Sequence, residues 1–128
     1  MGYNFYNVGK RRVLEMTNIP ICIGSIKNQS WSRGGLIVFG FNEASSFLYF
    51  IGAETRNLEK VQFKFNEILG LSDICFWYKE DAEHIKIYAS NKSYVSGVVT
   101  VCSISHFMQT DASFIGEKEL SSNLVEIQ

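Results

Sequence analysis

The chain is poor in the features that would point directly to a function. Its 128 residues include one proline, two histidines and three cysteines, and 12 basic against 13 acidic residues leave a net charge of -1. So small a charge creates no field that would attract nucleic acid or an anionic membrane, so neither is an expected partner. The longest apolar run falls far short of the ~20 residues that a membrane helix needs, which predicts no membrane insertion.

Catalytic and metal-binding motifs are scarce as well. The sequence contains no His-x-x-x-His or Cys-x-x-Cys pair, no nucleophile elbow and no phosphate-binding glycine loop. Three carboxylates cluster at Glu80, Asp81 and Glu83, but like charges on a hairpin tip are typical of a solvated loop. The sequence therefore predicts a protein that is not an enzyme and that has no cofactor. A small hydrolase is a weaker alternative.

The cysteines predict a reducing folding compartment. Cys22, Cys75 and Cys102 each have apolar neighbours, and their number is odd. A free thiol in such a context behaves as a small core hydrophobe. We therefore expect three buried, unpaired thiols and folding in the cytosol.

Three short segments are apolar at every position that a strand would place on either face: residues 36–41, 47–51 and 74–78. A strand that buries one face and exposes the other should alternate apolar with polar residues. These segments predict a sheet that is covered on its second face, and another copy of the chain is the expected cover.

Strand candidates separated by polar turns recur along the chain. They predict a single domain, residues 1–128, with an all-β, jelly-roll-like antiparallel β-sandwich fold. The tract 54–60 has weak helical character and is either a short helix or a loop turn. We expect 61–65 to lie in the same sheet as the hairpin formed by 74–79 and 84–89. The strand candidates are residues 12–17, 21–26, 36–41, 47–51, 61–65, 74–79, 84–89, 98–105 and 124–127.

One loop has the composition of a ligand-binding surface. Trp31 lies between Gln29 and Arg33, so an indole that can stack on a sugar has polar neighbours that can bond its hydroxyls. The alternative, of equal weight, is that the Trp31 indole folds back onto the sandwich and binds no ligand. Asn91 and Tyr94 belong to a second, weaker candidate loop that also contains a lysine.

The order of several segments resembles the receptor-binding head, or knob, domains of phage tail fibres and pyocin-type fibres. The likeness covers roughly residues 5 to 105. It rests on an aromatic strand followed by a hairpin whose second strand reads Ile85-Lys86-Ile87-Tyr88. The matching segments are 5–8, 34–39, 47–51, 61–65, 74–78 and 84–89.

The resemblance implies a function and an assembly. Such heads are β-sandwiches that form homotrimers and bind a saccharide or a protein receptor on a bacterial surface. It therefore implies a virion protein that folds in the bacterial cytoplasm. The predicted ligand-binding residues, chosen from the composition of their loops, are Gln29, Trp31, Arg33, Asn91 and Tyr94. The alternative is a structural or assembly protein without a ligand, whose apolar face holds an oligomer together.

Overall fold

The protein folds as two antiparallel β-sheets that pack face to face, in a computed structural model that describes residues 9–42, 46–57, 60–70, 74–92, 96–105 and 107–128. All-β antiparallel architecture is thus confirmed. The strands are β1 Arg11–Met16, β2 Ile21–Lys27, β3 Arg33–Asn42, β4 Ser46–Glu54, β5 Gln62–Gly70, β6 Ile74–Glu80, β7 His84–Asn91, β8 Gly97–Ser103 and β9 Val125–Glu126.

The two sheets divide the strands unequally. The five-stranded sheet has the order β1-β8-β3-β4-β5, and the four-stranded sheet has the order β2-β7-β6-β9. The chain changes sheets between β1 and β2, β2 and β3, β5 and β6, β7 and β8, and β8 and β9, as in a jelly roll. Consecutive strands stay in one sheet at the meander β3-β4-β5 and at the hairpin β6-β7. The prediction that 61–65 joins the hairpin sheet is wrong, because β5 pairs with β4 instead.

The core lies between the two sheets and follows the period-2 alternation of the strands. Leu36, Val38 and Ile51 point inward from the five-stranded sheet, and Ile85 and Ile87 meet them from β7. Each of these side chains is at most 1% exposed. Burial of one such side chain is worth about 1.5–3 kcal/mol, so this cluster supplies much of the favourable free energy of folding.

The hairpin between β6 and β7 forms as its sequence predicts. The Asp81 carboxylate accepts hydrogen bonds from the backbone N–H groups of Glu83 and His84, at 2.8 and 2.7 Å. These two bonds stabilise the charged form and hold the pKa of Asp81 below its usual value. An aspartate that bonds its own following backbone is a common way to close a tight turn.

The C-terminal segment, residues 107–128, wraps around the four-stranded sheet, and we call it the strap. It bonds one edge through Gln109 and Glu117, which pair with the backbone of β2, and the other edge through β9 and β6. Between these edges Ile115, 5% exposed, packs on Cys22 and Tyr88 on the outer face of this sheet. The four-stranded sheet is therefore covered on both faces by its own chain.

The strap changes the interpretation of the two-sided apolar strands. The segment 74–78 becomes β6, whose Phe76 faces the core at 3% exposed while Trp77 packs under the strap. The expectation that another copy covers this strand is thus wrong. The other two segments become β3 and β4, whose outer face keeps Phe39 and Phe50 exposed at 41% and 39%.

The remaining expectations have mixed outcomes. Cys22 and Cys75 are buried as predicted, but Cys102 is half-buried because β8 turns it to the outer face of the five-stranded sheet. Burial raises the pKa of the Cys22 thiol to about 12. The described part of the tract 54–60 is the end of β4 followed by a loop, and residues 58 and 59 lie outside the described residues. Within the described ranges, no helix is long and apolar enough to cross a membrane.

Candidate functional site

A trough of about 590 Å³ lies at one end of the outer face of the five-stranded sheet. Strands β3, β4 and β5 form its floor, and the turn after β8 forms one wall. This volume falls in the ~300–1,000 Å³ range of small-molecule sites. The lining residues are Arg33, Gly34, Gly35, Gly52, Ala53, Glu54, Gln62, Phe63, Lys64, Ile104, Ser105 and Phe107.

The trough exists because glycines meet across the strands. Gly35 of β3 lies opposite Gly52 of β4, and Gly52 lies opposite Lys64 of β5. A Cβ on Gly35 would approach the Ile104 side chain to 2.8 Å, so Ile104 occupies the space that a side chain at 35 would fill. A Cβ on Gly52 would meet nothing closer than the Lys64 carbonyl oxygen at 3.8 Å. The floor above Gly52 is therefore open.

Polar groups stand in the next row of the sheet. Arg33 is directly opposite Glu54, and Glu54 is directly opposite Gln62, so the three side chains share the outer face. Glu54 also forms an ion pair with Arg56 at 3.6 Å. Among the described residues, neither Arg33 nor Lys64 has an ion-pair partner. The row therefore offers a ligand in the trough the donors of Arg33 and Gln62 and two acceptor groups, the Glu54 carboxylate and the Gln62 amide oxygen.

The opposite wall is apolar. Ile104 and Phe107 are 49% and 50% exposed, although large apolar side chains are usually buried. The Ser105 hydroxyl lies between them in sequence and is buried without a hydrogen-bond partner among the described residues. An apolar wall facing a polar row is the usual arrangement of a site that fixes a ligand's orientation.

The tryptophan loop borders the trough at its Arg33 end. Thr55, the residue after Glu54, donates a hydrogen bond to the Gln29 carbonyl and accepts one from the Ser32 N–H at 3.0 Å. Trp31 has φ = 64°, in the left-handed region that non-glycine residues rarely adopt. Its indole is 68% exposed, so the interpretation of a tryptophan folded back onto the sandwich is wrong.

The structure separates the sequence-predicted site residues. Arg33 lines the trough, and Gln29 and Trp31 lie on the exposed loop beside it. The structure corrects the prediction for Asn91, which is 2% exposed because it ends β7 and its N–H donates to the Thr17 carbonyl. Tyr94 lies outside the described residues.

Sequence reasoning missed most of the trough. Glu54, Gln62 and Lys64 come from two strands whose pairing the sequence does not reveal, and Phe107 lies in the segment between the predicted strands 98–105 and 124–127. The one available signal is the glycine content of the strands at 34, 35 and 52, since glycine is unfavourable in a strand interior unless space is needed there. In the described part of the chain, no cluster of three or more His, Cys, Asp or Glu side chains is placed to hold a metal ion.

Comparison with known proteins relates the fold to a glycan-modifying enzyme. No protein-family profile matches the chain, and no curated protein matches it in sequence. Among solved structures, it is similar to Pantoea stewartii WceF, described as a glycan biofilm modifying enzyme with a bacteriophage tailspike-like parallel β-helix fold. The TM-score is 0.57 at 14% identity, and the match covers 98% of this chain and 23% of WceF. The chain thus spans about a quarter of the WceF chain.

A second solved structure is the tailspike protein gp49 of Acinetobacter baumannii bacteriophage Fri1, described as a capsular polysaccharide depolymerase. Its TM-score is 0.41 at 8% identity, over 91% of this chain and 19% of gp49. Because the described strands of this chain all pair antiparallel, what it shares with WceF is the sandwich and not a parallel β-helix. The prediction that the protein is not an enzyme is contradicted, since WceF, which shares this fold, is described as a glycan biofilm modifying enzyme.

Proposed function

We propose that this chain is the glycan-binding domain of a phage tailspike-like protein that acts on a bacterial surface polysaccharide. The observation that carries the proposal is the trough, which combines an open glycine floor, an apolar wall and a polar row. The fold shared with WceF, described as a glycan biofilm modifying enzyme, supports it. The virion is the corresponding location.

The trough suits a sugar ring for three reasons. A pyranose presents C–H groups on its faces, and Phe107 and Ile104 offer apolar surface to contact them. Its hydroxyls need donors and acceptors, which Arg33, Gln62 and Glu54 supply. The sheet has no side chain at Gly52, so a sugar ring can approach its backbone there.

In the proposal, the described residues of the trough bind the glycan. Glycoside hydrolysis generally uses a pair of carboxylates, and Glu54 is the only one among the described residues that line the trough. In the proposed function the trough holds the polysaccharide while the tailspike-like protein as a whole modifies it.

The tryptophan loop extends this surface in the proposal. Trp31 and Gln29 add a stacking face and an amide next to Arg33, at the end of the trough where the loop joins β3. A polysaccharide that runs along the trough reaches this loop after leaving the row formed by Arg33, Glu54 and Gln62.

Binding to bacterial polysaccharides on a glycan array, followed by calorimetry, tests the function. We expect Phe107→Ala to weaken binding about tenfold, since stacking on an aromatic ring contributes about 0.5–1.5 kcal/mol beyond burial. Leu120→Ala is the matched control, because Leu120 is an exposed apolar residue on the strap at 67%. The proposal fails if the parent protein binds no polysaccharide, or if both variants bind as it does.

We also propose that the chain assembles as a homotrimer through the outer face of the five-stranded sheet. On this face Phe39 lies opposite Leu48 and Phe50 lies opposite Ile37, which makes a continuous apolar surface across β3 and β4. Exposed patches of this kind usually mark an interaction site. We propose that two further copies of the chain cover this apolar surface. The choice of a trimer comes from the resemblance to fibre heads.

Light scattering at micromolar concentration tests the assembly. The parent protein should have three times the chain mass, and Phe50→Asp should shift it to the monomer because a charge on this face cannot be buried without a partner. Val125→Asp is the control, since Val125 is 53% exposed on β9 of the other sheet. A parent protein that is monomeric, or a Phe50→Asp variant that stays trimeric, contradicts the proposal.

A further inference from the structure

We infer that the ligand of the trough is an acidic saccharide, with a carboxylate on the sugar that lies over Gly52. The inference rests on the proposed glycan-binding function and specifies the chemical class of the glycan. It comes from the unequal distribution of charge around the trough.

Two cations face the trough without a counter-charge. Arg33 and Lys64 are both exposed, both line the trough, and neither has an ion-pair partner among the described residues. They stand on the two outer strands of the β3-β4-β5 meander, in neighbouring rows of the same face. Unpaired cations that converge on one cavity create a positive potential inside it, which favours an anionic ligand.

The single carboxylate of the trough does not cancel this potential. Glu54 is engaged by Arg56, whose guanidinium lies 3.6 Å from a carboxylate oxygen. The trough lining therefore has two cations, Arg33 and Lys64, and one carboxylate that is already paired with Arg56. A guanidinium and an ammonium are the two side-chain groups best suited to bind a carboxylate, and the guanidinium binds it through two parallel hydrogen bonds.

The shape of the trough selects a sugar among possible anions. Ile104 covers Gly35, so the apolar wall extends over β3, while the space over Gly52 of the central strand β4 stays open beside Lys64. A ligand that fills this space needs an apolar face on the Ile104 side and a negative group on the cationic side. A pyranose bearing a carboxylate has both, whereas a simple anion would leave the apolar wall exposed to water.

The experiment compares each acidic polysaccharide of a bacterial panel with its carboxyl-reduced counterpart, in which a CH₂OH group replaces the carboxylate. The parent protein should bind the acidic form at least tenfold more tightly, and this preference should shrink as salt is added. The double variant Arg33→Gln, Lys64→Gln should bind the acidic and the reduced form with equal affinity, whatever the loss of absolute affinity for either form. The double variant Lys27→Gln, Lys118→Gln is the control for net charge, because it removes two exposed lysines outside the trough lining.

A steric variant locates the binding to this trough. Gly52→Val should abolish binding of both forms, since its Cβ would have only an ordinary contact with the Lys64 carbonyl oxygen at 3.8 Å and its methyl groups would occupy the open floor. Asn66→Val is the matched control, because Asn66 lies on the same face of β5 outside the trough lining. Continued binding of the acidic form by Gly52→Val would overturn the inference.

The two proposals fail in different ways. Equal binding of the acidic and reduced forms would overturn the acidic class and leave the glycan-binding function standing. Binding of no polysaccharide at all would overturn the function, and the acidic class with it.

Discussion

Two glycines of the five-stranded sheet should respond in opposite directions to the same substitution. Gly40 of β3 points toward the core, where an added Cβ would stand well inside contact distance of the Val98 carbonyl oxygen and 3.1 Å from the Phe47 ring. Gly52 of β4 points outward, where an added Cβ would have only an ordinary contact. Alanine at each position therefore tests the description of the sheet and of the trough.

The magnitudes follow from these contacts. At Gly40 the obstacle is backbone of the neighbouring strand β8, so β3 and β8 must separate and lose part of their ladder. Overpacking costs ~1–3 kcal/mol and a lost hydrogen bond about 1 kcal/mol, so we expect Gly40→Ala to lower the free energy of unfolding by about 2–4 kcal/mol. Gly52→Ala should raise it by ~0.4–1 kcal/mol, because alanine restricts the unfolded chain more than glycine does.

Urea unfolding followed by circular dichroism and by tryptophan fluorescence measures both changes. The proteins are compared at one concentration, because association would make the midpoint depend on it. A Gly40→Ala protein as stable as the parent would show that β3 and β8 do not approach as described. A strongly destabilised Gly52→Ala protein would show that the floor of the trough is filled.

Three further perturbations test other parts of the fold. Cys102 should react with a thiol reagent well before Cys22, whose burial raises its pKa to about 12. The Phe50→Asp variant is used because it is expected to be monomeric, which leaves the outer face around Cys102 open. Equal reaction rates of the two thiols would contradict the described difference in burial. Hydrogen bonds from its neighbours lower the pKa of Glu119 from 4.5 to about 2. The ionised Glu119 carboxylate therefore stabilises the folded protein above about pH 4.5, and this contribution is lost as the pH falls toward 2. Glu119→Gln should therefore lower the urea midpoint at pH 7 and flatten its decline on acidification, whereas parallel curves would exclude this role. Phe114→Ala should lower the free energy of unfolding by about 1–3 kcal/mol through looser packing of the strap, and an unchanged midpoint would place this ring outside the fold.

Much of the strand layout could be predicted from the sequence, because it depends on local chemistry. Alternation marks β5, where Phe63 and Phe65 face inward between polar residues. The hairpin of β6 and β7 follows from a polar turn closed by Asp81. Such signals act within a few residues, so they indicate where a strand lies without indicating its neighbours.

The sheet assignments could not be predicted, because they depend on contacts between distant parts of the chain. The strap explains why β6 is apolar on both faces, yet its own sequence has no repeated pattern that identifies a cover. The trough likewise forms only when Gly35, Gly52 and Lys64 come into register. Arg33 was identified from its tryptophan neighbour, whereas Lys64 appeared only as the polar position of a half-buried strand.

The strap also limits which faces of the two sheets are open to a ligand or a partner. It covers the outer face of the four-stranded sheet and pairs with the edges at β2 and β6, so the five-stranded sheet has the larger open face. That face carries the trough at one end, and the apolar surface around Phe39 and Phe50 lies beside it on β3 and β4. A trimer formed through the apolar surface would bring three troughs close to the subunit contacts. Because linked sites can raise apparent affinity by ~10²-fold or more, a monomeric protein should retain the trough but bind a long polysaccharide far more weakly.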